Sequence, residues 1–182
     1  MSKTFQPDRL DVAAFVTAKA HLSAHDPLQK YERLAQELRE PEHDLVIDWQ
    51  VDGEQRGTID GSRRPALHLR ARADLPLTCQ RCMGEVRVPV EVDRHFVFVP
   101  DEDAAAALDE ASDDDVLALA PDFDLRDLIE DELLMALPLV PRHEQCPEGV
   151  RLSAQSADFD AAQEEKANPF AALAVLKTDK SN

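Results

Sequence analysis

Residues 67–99 read LHLRARADLPLTCQRCMGEVRVPVEVDRHFVFV, and this stretch carries the clearest structural pattern of the chain. Apolar and polar side chains alternate in Leu67–Ala73 and again in Val86–Val92. Arg94–Val99 adds a further run that is rich in β-branched and aromatic residues. A period of two in successive short segments is typical of antiparallel strands that bury one face. The stretch therefore predicts neighbouring strands of one sheet.

The predicted sheet extends upstream of this stretch. Leu45–Val51 alternates in the same way, and Gly53 and Gly57 then indicate a turn around Asp52–Gln55. Pro89 interrupts a run of valines. Because proline lacks an N–H donor, we expect its strand to lie at an edge or at a bulge. A sheet of this kind could curl into a barrel.

Helices are predicted on both sides of the sheet in the sequence. Asp11–Ala20 predicts a short helix, and a better one is expected to begin with Asp26 as N-cap and to end before Pro41. Asp124–Leu137 gives the strongest helical pattern. Its expected buried stripe consists of Leu125, Leu128, Ile129, Leu133 and Ala136. The fold class is therefore α+β, with N-terminal helices and one packed helix after the sheet.

Two segments lack a core-forming pattern. Residues 100–115 are acidic and without aromatic side chains, which predicts a solvated loop or a frayed helix. Residues 148–166 are polar and predict a flexible tether, after which Asn168 caps a short apolar helix, Phe170–Lys177. We therefore expect one domain over residues 1–147 and a C-terminal tail over residues 148–182.

Size and composition restrict the class of protein. A chain of 182 residues without a run of 18 apolar side chains predicts one soluble domain and no membrane span. The N-terminus lacks a signal-peptide pattern, so we expect a cytoplasmic protein, in which three cysteines do not form a disulfide framework. No small-molecule substrate is expected, because the common nucleotide-binding and hydrolase motifs are absent from the sequence.

The net charge of −17 is unevenly distributed along the chain. Residues 101–132 hold 14 acidic side chains and one basic one, or −13, whereas residues 56–94 hold 8 arginines and 5 acids, or +3. An acidic total disfavours broad binding to phosphate backbones and suits contact with basic partners such as ribosomal proteins. Acidity that only keeps the protein soluble is the alternative explanation.

The pair Cys79-Gln-Arg-Cys82 is the first motif that could carry chemistry. Two thiolates at this spacing can bind one metal ion from a tight turn, whereas a redox CxxC lies at the start of a helix, which is not predicted here. His143 and Cys146 could complete a Cys₃His site for structural zinc if the hairpin folds back beside residue 143. Reduced structural cysteines without a metal are the alternative.

An outward stripe of arginines is the second motif. Arg70, Arg72 and Arg87, with Arg81 in the CxxC turn, could contact RNA phosphates. Only 5% of the residues are aromatic, so an aromatic platform for stacking bases is not evident. The acidic segment after Val99 could instead neutralise the stripe within the molecule.

Two further surfaces could bind a partner. Asp127, Glu130 and Asp131 lie opposite the predicted apolar stripe of their helix and are expected in water, not in a catalytic cleft. The tail begins its helix with Asn168, Pro169 and Phe170, and this helix could dock into a partner's groove or return to the domain's own core.

Four segments together resemble the YceD family of large ribosomal RNA subunit accumulation proteins. They are Leu77–Cys82 (LTCQRC), Asp124–Pro141, His143 with Cys146-Pro147, and Asn168–Leu173 (NPFAAL). Their order and separation make the combination specific, and it covers roughly residues 77–176. Cys79 and Cys82 match the family's CxxC, and His143 and Cys146 match its later His/Cys segment.

The resemblance implies a role in the synthesis, processing or stability of large-subunit (23S) ribosomal RNA in bacteria. It implies no catalytic residue, so we expect a protein that acts by binding a ribosomal protein or the precursor RNA. A small zinc-binding or thiol-redox protein that uses the CxxC motif is the alternative function.

Overall fold

The structure, a computed structural model, describes residues 4–40, 44–57, 61–110, 112 and 114–147. Nearly all of these belong to a compact unit that ends at Gln145, and a second unit begins at Cys146. The predicted tether and the predicted helix Phe170–Lys177 lie outside the described residues. The domain boundary after residue 147 therefore stays a prediction.

The described residues form one five-stranded sheet with the spatial order β1-β2-β3-β4-β5. The strands are β1 (His21–Pro27), β2 (Val46–Gly57), β3 (Arg63–Thr78), β4 (Glu85–Val99) and β5 (Asp115–Ala118). The first four pair antiparallel in chain order, and β5 pairs parallel with β4. The α+β class is confirmed, and the sheet is mixed rather than purely antiparallel.

The possibility of a barrel is wrong. The sheet is open, with β1 at one edge and the four-residue β5 at the other. β5 reaches only Phe96–Val99 of β4, so the earlier half of β4 is itself a sheet edge within the part of the chain described. Pro89 lies in that half, where its missing N–H costs no ladder hydrogen bond, as predicted.

Four α-helices accompany the sheet in the described residues: α1 (Val12–Thr17), α2 (Glu32–Glu37), α3 (Glu102–Asp109) and α4 (Leu125–Met135). Asp11 caps α1 by accepting a hydrogen bond from the Ala14 N–H, and Asp124 caps α4 at the N–H groups of Arg126 and Asp127. Both helices therefore begin where the sequence predicts. Among these helices, none has the length and apolar character that crossing a bilayer requires.

The core lies between one face of the sheet and the helices. Its largest fully buried side chains include Phe15, Tyr31, Leu34, Ile47, Leu67, Leu69, Leu75, Phe96, Phe98, Leu125 and Ile129. In α4, Leu125, Ile129 and Leu133 are buried as predicted, whereas Ala136 is exposed because the helix ends at Met135. The opposite face of β1–β4 is polar, and we call it the polar face.

Asp26 does not cap a helix, and that prediction is wrong. It lies in β1, a strand that the sequence did not predict, and is only 4% exposed. Its carboxylate accepts hydrogen bonds from Lys30 Nζ at 2.5 Å, Trp49 Nε1 at 2.9 Å and the Tyr31 hydroxyl at 3.2 Å. Because these donors satisfy the buried charge, Asp26 links β1 to the core instead of starting a long helix.

The acidic stretch 100–115 is more ordered than a solvated loop. Asp101 caps α3 by accepting from the Ala104 N–H, and α3 buries Ala105 and Leu108. This helix carries the chain from β4 to the parallel strand β5, a connection that cannot be a tight turn. Of the two predicted possibilities, a solvated loop or a helix, the helix is correct. The sequence did not predict β5.

Gly53 and Gly57 do not form the predicted turn, because both lie within β2. A Cβ atom at Gly53 would stand 2.8 Å from Phe15 Cδ1 and 3.0 Å from Val16 Cα, so α1 packs directly on the strand backbone. A Cβ atom at Gly57 would meet nothing within 4 Å. Glycine at position 53 therefore permits close helix–strand packing rather than a turn.

We predict that Gly53→Ala lowers the free energy of unfolding by about 1–3 kcal/mol, since the added methyl group overpacks the α1 contact. Urea denaturation at neutral pH measures this change. Gly57→Ala is the matched control and should change stability by less than about 0.5 kcal/mol. Equal effects of the two substitutions would contradict the packing of α1 against β2.

Candidate functional site

The CxxC motif lies in the turn between β3 and β4, as the sequence predicted. The Cys79 N–H donates to the Gly84 carbonyl at 2.8 Å, and the Met83 N–H donates to the Cys79 carbonyl at 2.9 Å. Met83 adopts the left-handed conformation with φ of 59°. These contacts close a compact turn and orient Cys79 and Cys82 toward the same side.

The segment after α4 lies against this turn. The Gln80 N–H donates to the Pro141 carbonyl at 2.8 Å, and Arg81 Nη2 donates to the His143 carbonyl at 3.0 Å. Cys82 Sγ lies 3.5 Å from His143 Nδ1. The hairpin therefore folds back beside residue 143, as a site shared by Cys79, Cys82 and His143 requires.

Cys146 follows His143 by three residues, and its sulfur joins this group. The ligand atoms of Cys79, Cys82, His143 and Cys146 all lie within 4.8 Å of one another. Cys79 is buried, the other three are partly buried, and none of the cysteines forms a disulfide. We call these four residues the Cys/His cluster.

The surroundings of Cys79 stabilise a thiolate. Burial of the Cys79 thiol by itself raises its pKa. Hydrogen bonds from the backbone at Cys82, His143 and Arg81 outweigh this effect and lower the pKa to about 5. A thiolate surrounded by backbone N–H donors is the form in which cysteine binds zinc.

The donor set of the Cys/His cluster fits zinc. Three sulfurs and one imidazole nitrogen are the ligands of a closed tetrahedral Cys₃His site, so the cluster could hold a zinc ion. Thiol-redox chemistry fits less well, because Cys79 is fully buried and the motif is followed by a strand rather than by a helix.

The predicted arginine stripe lies on the polar face, where its members meet carboxylates of the same chain. Arg70 Nη2 lies 2.5 Å from Asp52, and Arg72 Nε lies 3.2 Å from Asp48. Arg87 Nε lies 3.6 Å from Glu85. Neutralisation of the stripe therefore comes mainly from neighbouring strands, not from the acidic segment after Val99.

That acidic segment pairs with two other arginines. Arg56 Nε lies 2.7 Å from Asp114, and Arg94 Nε lies 3.0 Å from Asp115. These contacts join β2 and β4 to the chain around β5. The remaining predicted basic residue, Arg81, is held in the CxxC turn by the His143 carbonyl.

The carboxylates of α4 meet Arg33 of α2, a partner that the sequence did not reveal. Arg33 lies 2.6 Å from Asp127, 3.0 Å from Glu130 and 2.5 Å from Asp131. Asp127 remains 63% exposed and Asp131 remains 47% exposed, so both stay accessible to a partner.

Glu130 does not share the solvated face, and that prediction is wrong. It is buried, and its Oε1 accepts a hydrogen bond from the Leu34 N–H at 3.0 Å. The physical reason is that α2 packs beside α4 and uses this carboxylate as a link between the two helices. The predicted tail residues Asn168, Pro169 and Phe170 lie outside the described residues.

Comparison with known proteins identifies a family. The model of the family described as "Large ribosomal RNA subunit accumulation protein YceD" matches residues 67–177. A curated relative of the same description from Haemophilus influenzae is 34% identical over 122 residues, which cover 65% of this chain and 69% of the relative. Neither description names a catalytic activity. No solved structure matches.

We predict that Cys82→Ser removes one equivalent of zinc from the purified protein and weakens zinc binding by more than about 100-fold, because even outer-shell changes cost 10–100-fold. Metal analysis after equilibrium dialysis measures the stoichiometry. His25→Gln, outside the Cys/His cluster, should retain that equivalent. Full zinc content in Cys82→Ser would contradict the Cys₃His assignment.

Glu132 of α4 is a buried carboxylate whose ionisation affects stability. Burial raises its pKa, Arg94 lowers it, and Asp115 and Asp131 raise it further, with a net increase. Because the folded-state pKa exceeds the unfolded-state pKa, the ionised carboxylate reduces stability as the pH rises through the folded-state value.

Glu132→Gln should therefore raise Tm near pH 7, and the gain should shrink as the pH falls toward about 4, where the wild-type carboxyl is also neutral. Thermal denaturation across this pH range measures the effect. Glu37→Gln, at an exposed position of α2, is the control and should show no such pH-dependent gain. A loss of stability in Glu132→Gln at every pH would overturn the prediction.

Proposed function

Because this chain belongs to the YceD family, which is associated with accumulation of the large ribosomal RNA subunit, we propose that it is a non-enzymatic ribosome biogenesis factor. It supports the synthesis, processing or stability of large-subunit (23S) ribosomal RNA. It acts by binding a ribosomal protein or the precursor RNA. Of these two partners, the charge distribution favours the protein.

The pairing of the outward arginines is the observation that carries this preference. Asp52 and Asp48 of β2 contact Arg70 and Arg72, respectively. On the other side, β4 places Asp93 opposite Arg70 and Glu91 opposite Arg72 in the strand register. Unassisted binding to an RNA backbone requires several uncompensated cations. The polar face offers its arginines already compensated, which disfavours direct RNA binding there.

The surface around α3 instead carries uncompensated negative charge of the kind that attracts a basic protein. Glu102, Asp103, Asp109 and Glu110 are exposed on or directly after this helix. Complementary charge accelerates encounter and excludes like-charged partners. This surface would shield a basic ribosomal protein until it joins the large subunit. Asp127 and Asp131 of α4 would contribute less to the attraction, because Arg33 already pairs with both.

The Cys/His cluster serves this function as a structural element. It connects the β3–β4 turn to the segment after α4, so a bound zinc would fix the end of the sheet. The alternative function, a zinc or thiol-state protein, would require the metal or the thiols to be accessible. Complete burial of Cys79 argues against that alternative.

We predict that deletion of the gene lowers the ratio of large-subunit to small-subunit ribosomal RNA, and that the wild-type gene restores it. Neutralising the surface around α3 with Glu102→Gln, Asp103→Asn, Asp109→Asn and Glu110→Gln should abolish restoration, because attraction to the basic partner is lost. Quantification of both ribosomal RNAs by electrophoresis or sequencing measures the outcome.

A matched control removes the same number of negative charges elsewhere. Glu32→Gln, Glu37→Gln, Glu40→Gln and Asp44→Asn change four exposed carboxyls on and after α2, and this variant should restore the ratio fully. Comparable Tm values would exclude misfolding as the cause of a difference. An unchanged ratio in the deletion strain, or equal restoration by both variants, would count against the proposal.

A further inference from the structure

Three potential metal ligands meet on the polar face, away from the Cys/His cluster. Asp93 and His95 are two residues apart on β4 and therefore point to the same side of the sheet. His68 of β3 stands directly opposite His95 in the strand register. Side chains of directly opposite residues have Cβ atoms about 5 Å apart, so all three can reach one point above the sheet.

The distances between these side chains fit a shared ion. The ligand atoms of His68, Asp93 and His95 all lie within 4.8 Å of one another. His68 Nε2 lies 2.6 Å from Asp93 Oδ1. The two imidazole rings are stacked, with centroids 4.0 Å apart and planes inclined by 16°. Asp93 is largely exposed, which leaves the group open to ions from solvent.

A second carboxylate orients one of the imidazoles. His95 Nδ1 lies 2.9 Å from Glu54 Oε1 on β2. A histidine that donates one ring N–H to a carboxylate presents its other nitrogen as a lone pair, which is the arrangement common around metal-binding histidines. Glu54 is therefore a positioning residue for His95 rather than a ligand.

Simple pairing of histidine with carboxylate does not account for the whole arrangement. Elsewhere on the polar face, His21 contacts Asp52 and His25 contacts Asp48, and each of these pairs holds one imidazole. His68 and His95 instead bring two imidazoles together, with ring centroids 4.0 Å apart. The two rings therefore offer two nitrogen ligands within reach of one ion.

The nearby charges permit a cation to bind. Arg70 stands opposite Asp93 in the register, but its guanidinium donates to Asp52 at 2.5 Å. Glu54 places a further carboxylate beside His95, and the whole chain carries −17. Two imidazole nitrogens with one carboxylate suit borderline divalent ions such as Zn²⁺ and Co²⁺ better than Mg²⁺ or Ca²⁺.

We propose that His68, Asp93 and His95 form a second metal site, which binds a divalent ion of the zinc class with water in the remaining positions. His68 turns about its Cβ–Cγ bond from the stacked arrangement, a soft rotation, while Glu54 keeps His95 in place. Ten residues of β3, 69–78, separate His68 from Cys79. This is about 35 Å of extended chain, so the site is distinct from the Cys/His cluster.

Zinc stoichiometry of the full-length protein tests the proposal. His68→Gln combined with His95→Gln should bind one equivalent of zinc less than the wild type after equilibrium dialysis. His21→Gln combined with His25→Gln is the matched control. It removes two imidazoles from the same face, each of which contacts one carboxylate and, within the described residues, no second imidazole. The control should keep the wild-type stoichiometry.

Cobalt spectroscopy separates the two sites by their donor atoms. Co²⁺ at the proposed site should give weak visible bands without sulfur-to-cobalt charge transfer, and these bands should disappear in the His68/His95 variant. Glu54→Gln should keep the site but raise its Kd about 10–100-fold, since the orienting hydrogen bond is weakened.

Two outcomes would overturn the proposal. One is equal zinc stoichiometry in the wild type and in the His68/His95 variant, and the other is an equal loss in the His21/His25 control. If the His68/His95 variant unfolds, the single variant Asp93→Asn replaces it. Unchanged cobalt bands together with an unchanged Kd for cobalt in Asp93→Asn would then overturn the proposal. None of these results depends on the role in ribosomal RNA accumulation.

Discussion

The register between β3 and β4 determines which side chains are buried and which lie on the polar face. It runs from Ala66 opposite Val97 to Thr78 opposite Glu85. Because side chains alternate along a strand, a slip of one residue would turn Leu67, Leu69 and Leu75 out of the core. The same register sets the CxxC motif at the closed end of the hairpin and brings the arginines, the acids and the histidines into rows on the polar face. Core and surface chemistry are thus fixed by one pairing.

The sequence predicts those parts of the fold that carry a strong local pattern. Alternation locates β2, β3 and β4, and the cap at Asp124 locates α4, because in both cases the local signal agrees with the tertiary structure. Asp26-Pro27 gives a good helix-start pattern, but burial of the Asp26 carboxylate among Lys30, Tyr31 and Trp49 prevails over it. β5 was missed because a four-residue strand in an acidic segment has no pattern of its own, and Gly53 resembles a turn residue although it lies under α1.

Some of the candidate sites can be predicted from the sequence and others cannot. Spacing in the sequence indicates the Cys/His cluster, since CxxC and the later His143 and Cys146 are recognisable ligand pairs. The pairing of Arg33 with the α4 carboxylates and the meeting of His68 with His95 depend on contacts between residues far apart in the chain or on strand register. Alternation alone places His68, Asp93 and His95 on one face, and only the register reveals that they are neighbours.

We propose that an acidic surface holds a basic protein of the large subunit, and that the chain does not contact RNA directly. Purification of the tagged full-length chain from lysate, with and without ribonuclease, followed by quantitative mass spectrometry, distinguishes the two modes of association. We expect that one or more large-subunit ribosomal proteins stay bound after ribonuclease treatment and dissociate as the salt concentration is raised. Loss of every ribosomal protein on ribonuclease treatment would contradict it.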